Sequence, residues 1–215
     1  MSMKIYVIRH GETDANKNGI LQGSSDWPLN EFGIQLAEIT GEKMKGIKFD
    51  ACISSPLSRA KQTAEIILNN SGNSNIEIQY DDRIKELDMG IYEGKKFRRN
   101  EVEVPILKML IFKWNAFFCG KFKGGESAFD CCKRTSSFLD DLSKKDYDTV
   151  LVTSHGAAIT AMLNRFNKNR LSFWQSGVPL NCSVNIIEVE NGKMKLLERN
   201  KIYYDKKYAI DRFKA

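Results

Sequence analysis

Near its N-terminus the chain reads Ile5-Tyr6-Val7-Ile8-Arg9-His10-Gly11-Glu12-Thr13. Ile5 to Ile8 form a short apolar, β-branched run of the kind that makes a buried strand. Arg9 to Thr13 therefore leave the end of that strand and enter a turn. Ligand sites in open α/β sheets gather at the carboxyl ends of the strands. Arg9 sets a fixed positive charge beside His10, a side chain that can act as nucleophile, acid or base. The stretch reads as an anion-handling catalytic site with His10 as its nucleophile.

The pattern recurs at Thr149-Val150-Leu151-Val152-Thr153, the strongest strand signal in the chain, which ends in Ser154-His155-Gly156. The chain has two histidines, and both follow an apolar strand and precede glycine. A single histidine is most often structural. Two in matching contexts would face one another along one carboxyl edge of a parallel sheet. Arg59 joins them by the same logic. A strand predicted over 49–54 runs into Ser55-Pro56-Leu57-Ser58-Arg59-Ala60, where Ser55 is expected to cap a helix and Pro56 to sit in its first turn. Arg59 would then point back toward the strand end, and Ala60, Ala64 and Ile67 would form the buried face.

The remaining elements follow in order. Residues 13–30 are rich in Gly, Ser, Asn and Asp and read as a long ordered loop. A helix starts at Asn30, its expected N-cap, with Phe32, Leu36, Ile39 and Met44 on one face and Gly46 as terminator. Residues 76–80 alternate as a third strand, and 81–100 read as irregular. Residues 101–118 are almost continuously apolar and read as a mostly buried helix, the alternatives being an apolar lid or a dimer surface. Gly124-Gly125-Glu126-Ser127 breaks the chain before a helix over 128–142, with Phe129, Phe138 and Leu142 as core candidates. A helix over 157–166, a strand over 184–189, an Asn191-Gly192 hairpin turn and a returning strand over 194–197 complete the pattern. Strands alternating with helices predict an α/β fold with a mainly parallel sheet, covered on both faces and closed by an antiparallel edge. Residues 1–215 are expected to form a single domain.

Composition narrows the partners. Thirty-three Lys and Arg against 27 Asp and Glu give +6, which suits an anionic substrate, but no long basic run with interleaved aromatics points to nucleic acid. The cysteines (Cys52, Cys119, Cys131, Cys132 and Cys182) are odd in number and fit no zinc spacing, so free thiols in a reducing, cytoplasmic setting are expected. The N-terminus lacks a signal-peptide pattern, and no apolar stretch approaches the roughly 20 residues of a membrane span.

Two arginines, a histidine pair and helix N-termini make a pocket for a dianion such as a phosphoryl group. Phosphoryl transfer depends on positioning and on stabilising charge on the equatorial oxygens. One neutral imidazole can attack phosphorus, and a carboxyl group must protonate the leaving alcohol. Glu12, Glu86 and Glu93 are candidates that spacing alone does not separate, with a charged surface role the simplest reading of Glu93.

These residues resemble the histidine phosphatase superfamily, the phosphoglycerate-mutase-like group. The resemblance begins at Arg9-His10-Gly11-Glu12-Thr13 and continues in Asn16, Gln22-Gly23, Leu29, Gly33 and Ser54-Ser55-Pro56-Leu57-Ser58-Arg59-Ala60. It resumes in Glu86-Leu87-Asp88-Met89-Gly90-Ile91-Tyr92-Glu93-Gly94, Gly124-Gly125-Glu126-Ser127 and Ser154-His155-Gly156. The resemblance implies a three-layer α/β/α sandwich. It implies that His10 is phosphorylated, that Arg9, Arg59 and His155 form the phosphate pocket and that Glu86 is the proton donor. Asn16, Gln22 and Gly23 match loop positions that contact phosphate or substrate. No metal and no cofactor are implied. Residues 97–118 depart from the family pattern where members build a substrate-covering insertion, which the resemblance places here at about 95–123.

Mutases similar to this chain carry a longer insertion after the Glu-Gly segment, with paired arginines and a proline-rich stretch. Here the gap from Gly94 to Gly124 is short, and Arg98-Arg99 lack the proline-rich context. Hydrolysis of a small phosphorylated metabolite is therefore the first reading and a phosphoglycerate mutase the second. A catalytically weak phosphate-binding or protein-interaction module is the alternative of another class. A homodimer formed through 106–118 is compatible with any of them.

Overall fold

The computed structural model describes residues 2–96 and 105–208. The expected sheet is present. β1 (Ser2–Arg9), β2 (Ala51–Ser54), β3 (Ile78–Tyr80), β4 (Thr149–Ser154), β5 (Val184–Glu190) and β6 (Lys193–Lys201) lie in the order β3-β2-β4-β1-β5-β6. β1 to β4 are mutually parallel, and β5 and β6 close the sheet antiparallel.

Alternation along the central strands builds the layers, since successive side chains point to opposite faces. Met3, Ile5 and Val7 of β1 and Val150 and Val152 of β4 pack with Phe138, Leu139, Ile159 and Met162. These last four belong to α5 (Ala128–Leu142) and α6 (Gly156–Leu163). On the other face, Ile8, Cys52 and Leu151 pack with Met44, Ala64, Ile67 and Leu68. That cover is α2 (Glu31–Lys43) and α3 (Ser58–Ser71). The result is the expected three-layer sandwich.

Several local expectations are corrected. Residues 13–30 are not all loop, because α1 (Asp14–Asn18) forms there. Three of its five residues, Asp14, Asn16 and Asn18, are weak helix formers, but Thr13 and Asn16 make a reciprocal capping box and Gly19 closes it in the left-handed region. Ser55 does not cap α3, which starts at Ser58. Asp26 does so instead, accepting from the Ser58 amide at 2.7 Å. Asn30 caps α2 as expected, through the Gly33 amide at 2.8 Å. The helix ends at Lys43, before Gly46, and Ile39 lies on its outer face while Leu36, Ala37 and Thr40 are buried. Phe129 is also exposed, whereas Phe138 and Leu142 are buried.

The largest correction concerns the apolar stretch. α4 spans Ile106–Trp114 and a 3-10 turn follows over Ala116–Cys119. Phe112 and Ala116 are buried, but Leu107, Leu110, Trp114 and Phe118 are 59–73% exposed. The segment lies on the body through one face rather than inside it. Val102, Val104 and the Arg98-Arg99 pair fall outside the described residues.

Where β1 ends, its turn crosses α2 at almost no distance. A Cβ on Gly11 would stand 2.5 Å from the Gly33 carbonyl oxygen, and one on Gly33 would stand 2.1 Å from the Glu12 carbonyl oxygen. Both obstacles are backbone and cannot rotate away. An alanine inside a helix normally gains up to about 1 kcal/mol over glycine. Gly33→Ala is expected to do the reverse, costing about 1–3 kcal/mol by overpacking. Urea unfolding checks this; an unchanged or raised midpoint contradicts the crossing.

Candidate active site

β1 and β4 are neighbours in parallel register, with Arg9 opposite Ser154. The next residue of each chain segment is a histidine. The His10 amide donates to the Ser154 carbonyl at 2.9 Å. The two imidazoles lie with ring centroids 5.1 Å apart and are almost wholly buried. The sheet register thus brings the two histidines together across 145 residues of sequence, from position 10 to position 155.

Their tautomers follow from their partners. His10 Nδ1 stands 2.7 Å from the Gly11 carbonyl oxygen, which can only accept. Nδ1 therefore carries the proton and the Nε2 lone pair is available. His155 has the opposite arrangement. Its Nδ1 accepts from Arg59 Nε at 3.1 Å, so the proton sits on Nε2, which donates to Ser55 Oγ at 2.7 Å. Burial first, and then Arg59 and Arg9, push the His10 pKa well below the usual histidine value. Burial first, and then Arg59, do the same for His155.

Arg59 is fully buried in the first turn of α3, as expected. Besides its bond to His155, Nη1 donates to the Ser25 carbonyl and Nη2 to the Gly23 carbonyl, each at 2.8 Å. Three of the five guanidinium N–H groups are thus committed, and two are left for a ligand. Burial pushes its pKa down to about 10, with Glu86 opposing the fall, so it remains cationic at neutral pH. Arg9 is held by the Pro179 carbonyl, to which Nη1 donates at 2.6 Å.

Glu86 lies just beyond a 3-10 turn (Asp82–Ile84). Its carboxylate accepts from the amides of Leu87, Ala157 and Ala158 at 2.8–3.2 Å, two of them in the first turn of α6. That end of a helix carries partial positive charge, which suits a carboxylate. Asn16 Oδ1 accepts from the Thr13 amide at 3.2 Å, and Gln22 Oε1 from the Thr13 hydroxyl at 3.0 Å. With both amide oxygens taken, Asn16 and Gln22 keep their NH2 ends as donors. Arg9, His10, Asn16, Gln22, Gly23, Arg59 and Glu86 all line one cavity of about 150 Å³. His155 stands behind Arg59 with both ring nitrogens engaged. Among the described residues no cluster of three or more His, Cys, Asp or Glu could hold a metal ion.

Two positioning residues escaped the sequence reading: Arg134, which it did not name, and Glu93, which it weighed as an acid and read most simply as a surface charge. Glu93 is not a surface charge. Its carboxylate accepts from the amides of Ser24 and Ser25 at 2.8 Å and of Met89 at 3.1 Å. It thereby shapes the 23–25 loop whose carbonyls hold Arg59, and Gly23 there has φ +52, with no room for a Cβ beside Glu93. Arg134 of α5 donates to the carbonyls of Arg83, Lys85 and Glu86 at 2.7–3.0 Å and is tied to Glu126, with Nε 3.0 Å from Oε2. It fixes the backbone that carries Glu86. Glu126 belongs to the Gly-Gly-Glu-Ser motif, which was the available signal.

A sequence profile described as histidine phosphatase superfamily (branch 1) matches residues 5–202. The chain belongs to this superfamily. A protein of Salmonella choleraesuis named probable phosphoglycerate mutase GpmB is 34% identical over 164 residues, 75% of this chain and 74% of that one. Among solved structures, Bacillus stearothermophilus YhfR superposes with a TM-score of 0.83 at 28% identity, covering 93% of this chain and 98% of that one. A phosphoserine phosphatase variant of Entamoeba histolytica, in complex with phosphoserine, gives 0.74 at 29% identity and covers 92% and 96%. The superfamily assignment agrees with the fold and with the sequence motifs.

The buried neutral histidines make stability pH-dependent. Their folded pKa values lie below the unfolded value of about 6.5. Above that pH both states are neutral and nothing changes. Below it the unfolded chain binds protons that the folded chain refuses, so stability falls by up to about 1.4 kcal/mol per pH unit for each ring. Thermal midpoints of the wild type between pH 7 and 5 should fall more steeply than those of the His10→Asn/His155→Asn variant. Parallel curves would show that the rings are not held neutral.

Proposed function

We propose that the chain is a phosphomonoesterase working through a phosphohistidine on His10. The observation that carries this reading is the neutral His10 ring, with its proton fixed on Nδ1 and its Nε2 lone pair available in a cavity lined by Arg9 and Arg59. Nε2 attacks phosphorus and the bond to the leaving oxygen breaks. Glu86 takes up a proton when the dianion comes to lie beside its carboxylate, and gives that proton to the leaving oxygen. Arg9, the two remaining Arg59 N–H groups and the amide ends of Asn16 and Gln22 meet the charge on the equatorial oxygens. Glu86, now a carboxylate, takes a proton from the water that attacks the phosphohistidine, releasing phosphate and restoring His10. His155 keeps Arg59 in place rather than touching phosphate. The two arginines supply the positive charge, so the reading needs no metal.

The phosphoserine phosphatase likeness supports hydrolysis, while the name of the Salmonella relative supports a mutase. A mutase must keep water from its phosphohistidine and return the group to bound phosphoglycerate. The short gap from Gly94 to Gly124 favours hydrolysis, with α4 as part of the cover. No helix among the described residues is long and apolar enough to cross a membrane, and the cysteines are all free, which supports a cytoplasmic setting.

Mixing the protein with p-nitrophenyl phosphate and quenching rapidly should trap an alkali-stable, acid-labile phosphoprotein. His10→Ala should lose it together with turnover, by at least about a thousandfold. Turnover that survives in this variant would sink the mechanism. Glu86→Gln should slow an alkyl phosphate by about a hundredfold or more and p-nitrophenyl phosphate far less, because only the poor leaving group needs the proton. Equal losses on both would remove Glu86 from the acid role.

A further inference from the structure

The cavity lining combines a charged and polar group of side chains with a larger apolar group, and this bears on the substrate. Its phosphate end carries Arg9, His10, Arg59, Asn16 and Gln22. Apart from Glu86 and Asn181, the rest of its wall is mainly apolar: Leu21, Met89, Phe112, Trp174, Val178 and Leu180 are the chief residues. Resting on the hydrolytic reading above, we propose that the enzyme selects phosphomonoesters of apolar alcohols and discriminates against esters whose leaving group carries a second anion.

The apolar wall is built before a ligand arrives. Phe112 is 1% exposed and stands in T-shaped contact with Trp174 and Phe122, at ring-centroid distances of 5.3 and 5.4 Å. Trp174 Nε1 donates to the Phe112 carbonyl at 2.6 Å, which ties the segment before β5 to α4. Val178 packs so closely on Gly156 that a Cβ there would lie 2.8 Å from its Cγ1. Gly156 opens α6, whose next two amides hold Glu86. Apolar wall and proton donor therefore meet at one helix end, and the leaving oxygen would lie where the polar end gives way to the apolar one.

Charge points the same way. Among the described residues the only cations lining the cavity are Arg9 and Arg59, and both belong to the phosphate end. Besides Arg9, His10 and Arg59, the ionisable side chain lining the cavity among the described residues is Glu86, an anion after it has given up its proton. A carboxylate or second phosphate on the leaving group would lose its hydration there without gaining a counter-charge from any described residue. An alkyl or aryl group would instead be taken out of water, each buried methylene strengthening binding by about fourfold.

Ethyl, butyl and hexyl phosphate test this, since their leaving groups have nearly the same basicity. For the wild type, kcat/KM should rise by roughly two- to fourfold per methylene, mainly through KM, and 3-phosphoglycerate should rank below hexyl phosphate by more than about a hundredfold. Trp174→Ala should flatten the rise. Val178→Thr, which keeps the shape of the side chain, should lower it without disturbing the fold. A flat wild-type series, or 3-phosphoglycerate as the better substrate, overturns the proposal while phosphate release leaves the hydrolytic reading standing. Absence of phosphate release from every ester, with 3-phosphoglycerate isomerised, overturns both.

Discussion

The Arg59 guanidinium is the group on which the site depends. A cation without solvent contact is costly unless every part of it is paired or hydrogen-bonded. The fold meets that cost from three directions. His155 takes Nε–H from the end of β4, and the 23–25 loop takes one N–H from each terminal nitrogen. None of these acceptors is a full negative charge. Glu86, Asp26 and Glu93 act on Arg59 through space, while Arg9 opposes them. The positive charge is therefore oriented but not neutralised, a suitable state for receiving a dianion.

The histidines divide the work in a way that only their hydrogen bonds reveal. They share a sheet edge and similar flanking residues, yet their protons sit on opposite nitrogens. His10 keeps a lone pair because its backbone partner is an acceptor. His155 spends its lone pair on Arg59, a donor. Burial first, and then the surrounding cations, disfavour the charged form of both rings, and a protonated His10 could not attack phosphorus. On the proposed mechanism, Arg9 and Arg59 thus act on His10 before they act on any ligand.

Long-range placement was legible in the sequence because it follows from sheet periodicity. Two apolar strands ending in histidine, in a chain of βαβ spacing, lie side by side if both are central, and β1 and β4 do. The failures have local causes. Ile39 and Phe129 matched a helical spacing but sit on outer faces, since periodicity gives a stripe and not which residues at its margin are covered. α1 is held by its caps rather than by propensity. Ser55 has the chemistry of an N-cap but is drawn away by His155, and a residue 32 positions from Ser58, Asp26, takes over. Glu93 and Arg134 act on backbone groups remote in sequence, which no spacing rule displays.

α4 shows how an unpatterned apolar run can serve two environments. Residues 106–118 carry more apolar side chains than one buried face needs, so a mostly buried helix was the natural expectation. The short helix instead turns Phe112 toward the cavity and core while Leu107, Leu110 and Trp114 face outward. Phe112 is locked by Phe122 and Trp174, so the face toward the cavity is as fixed as the sheet beneath it. Water leaves such a surface readily, and electrostatic interactions strengthen as it leaves. The apolar wall and the arginine pair are therefore coupled. On the proposed reading, what closes over the leaving group also lowers the dielectric around the phosphoryl group, so recognition of one end of the substrate would sharpen the chemistry at the other.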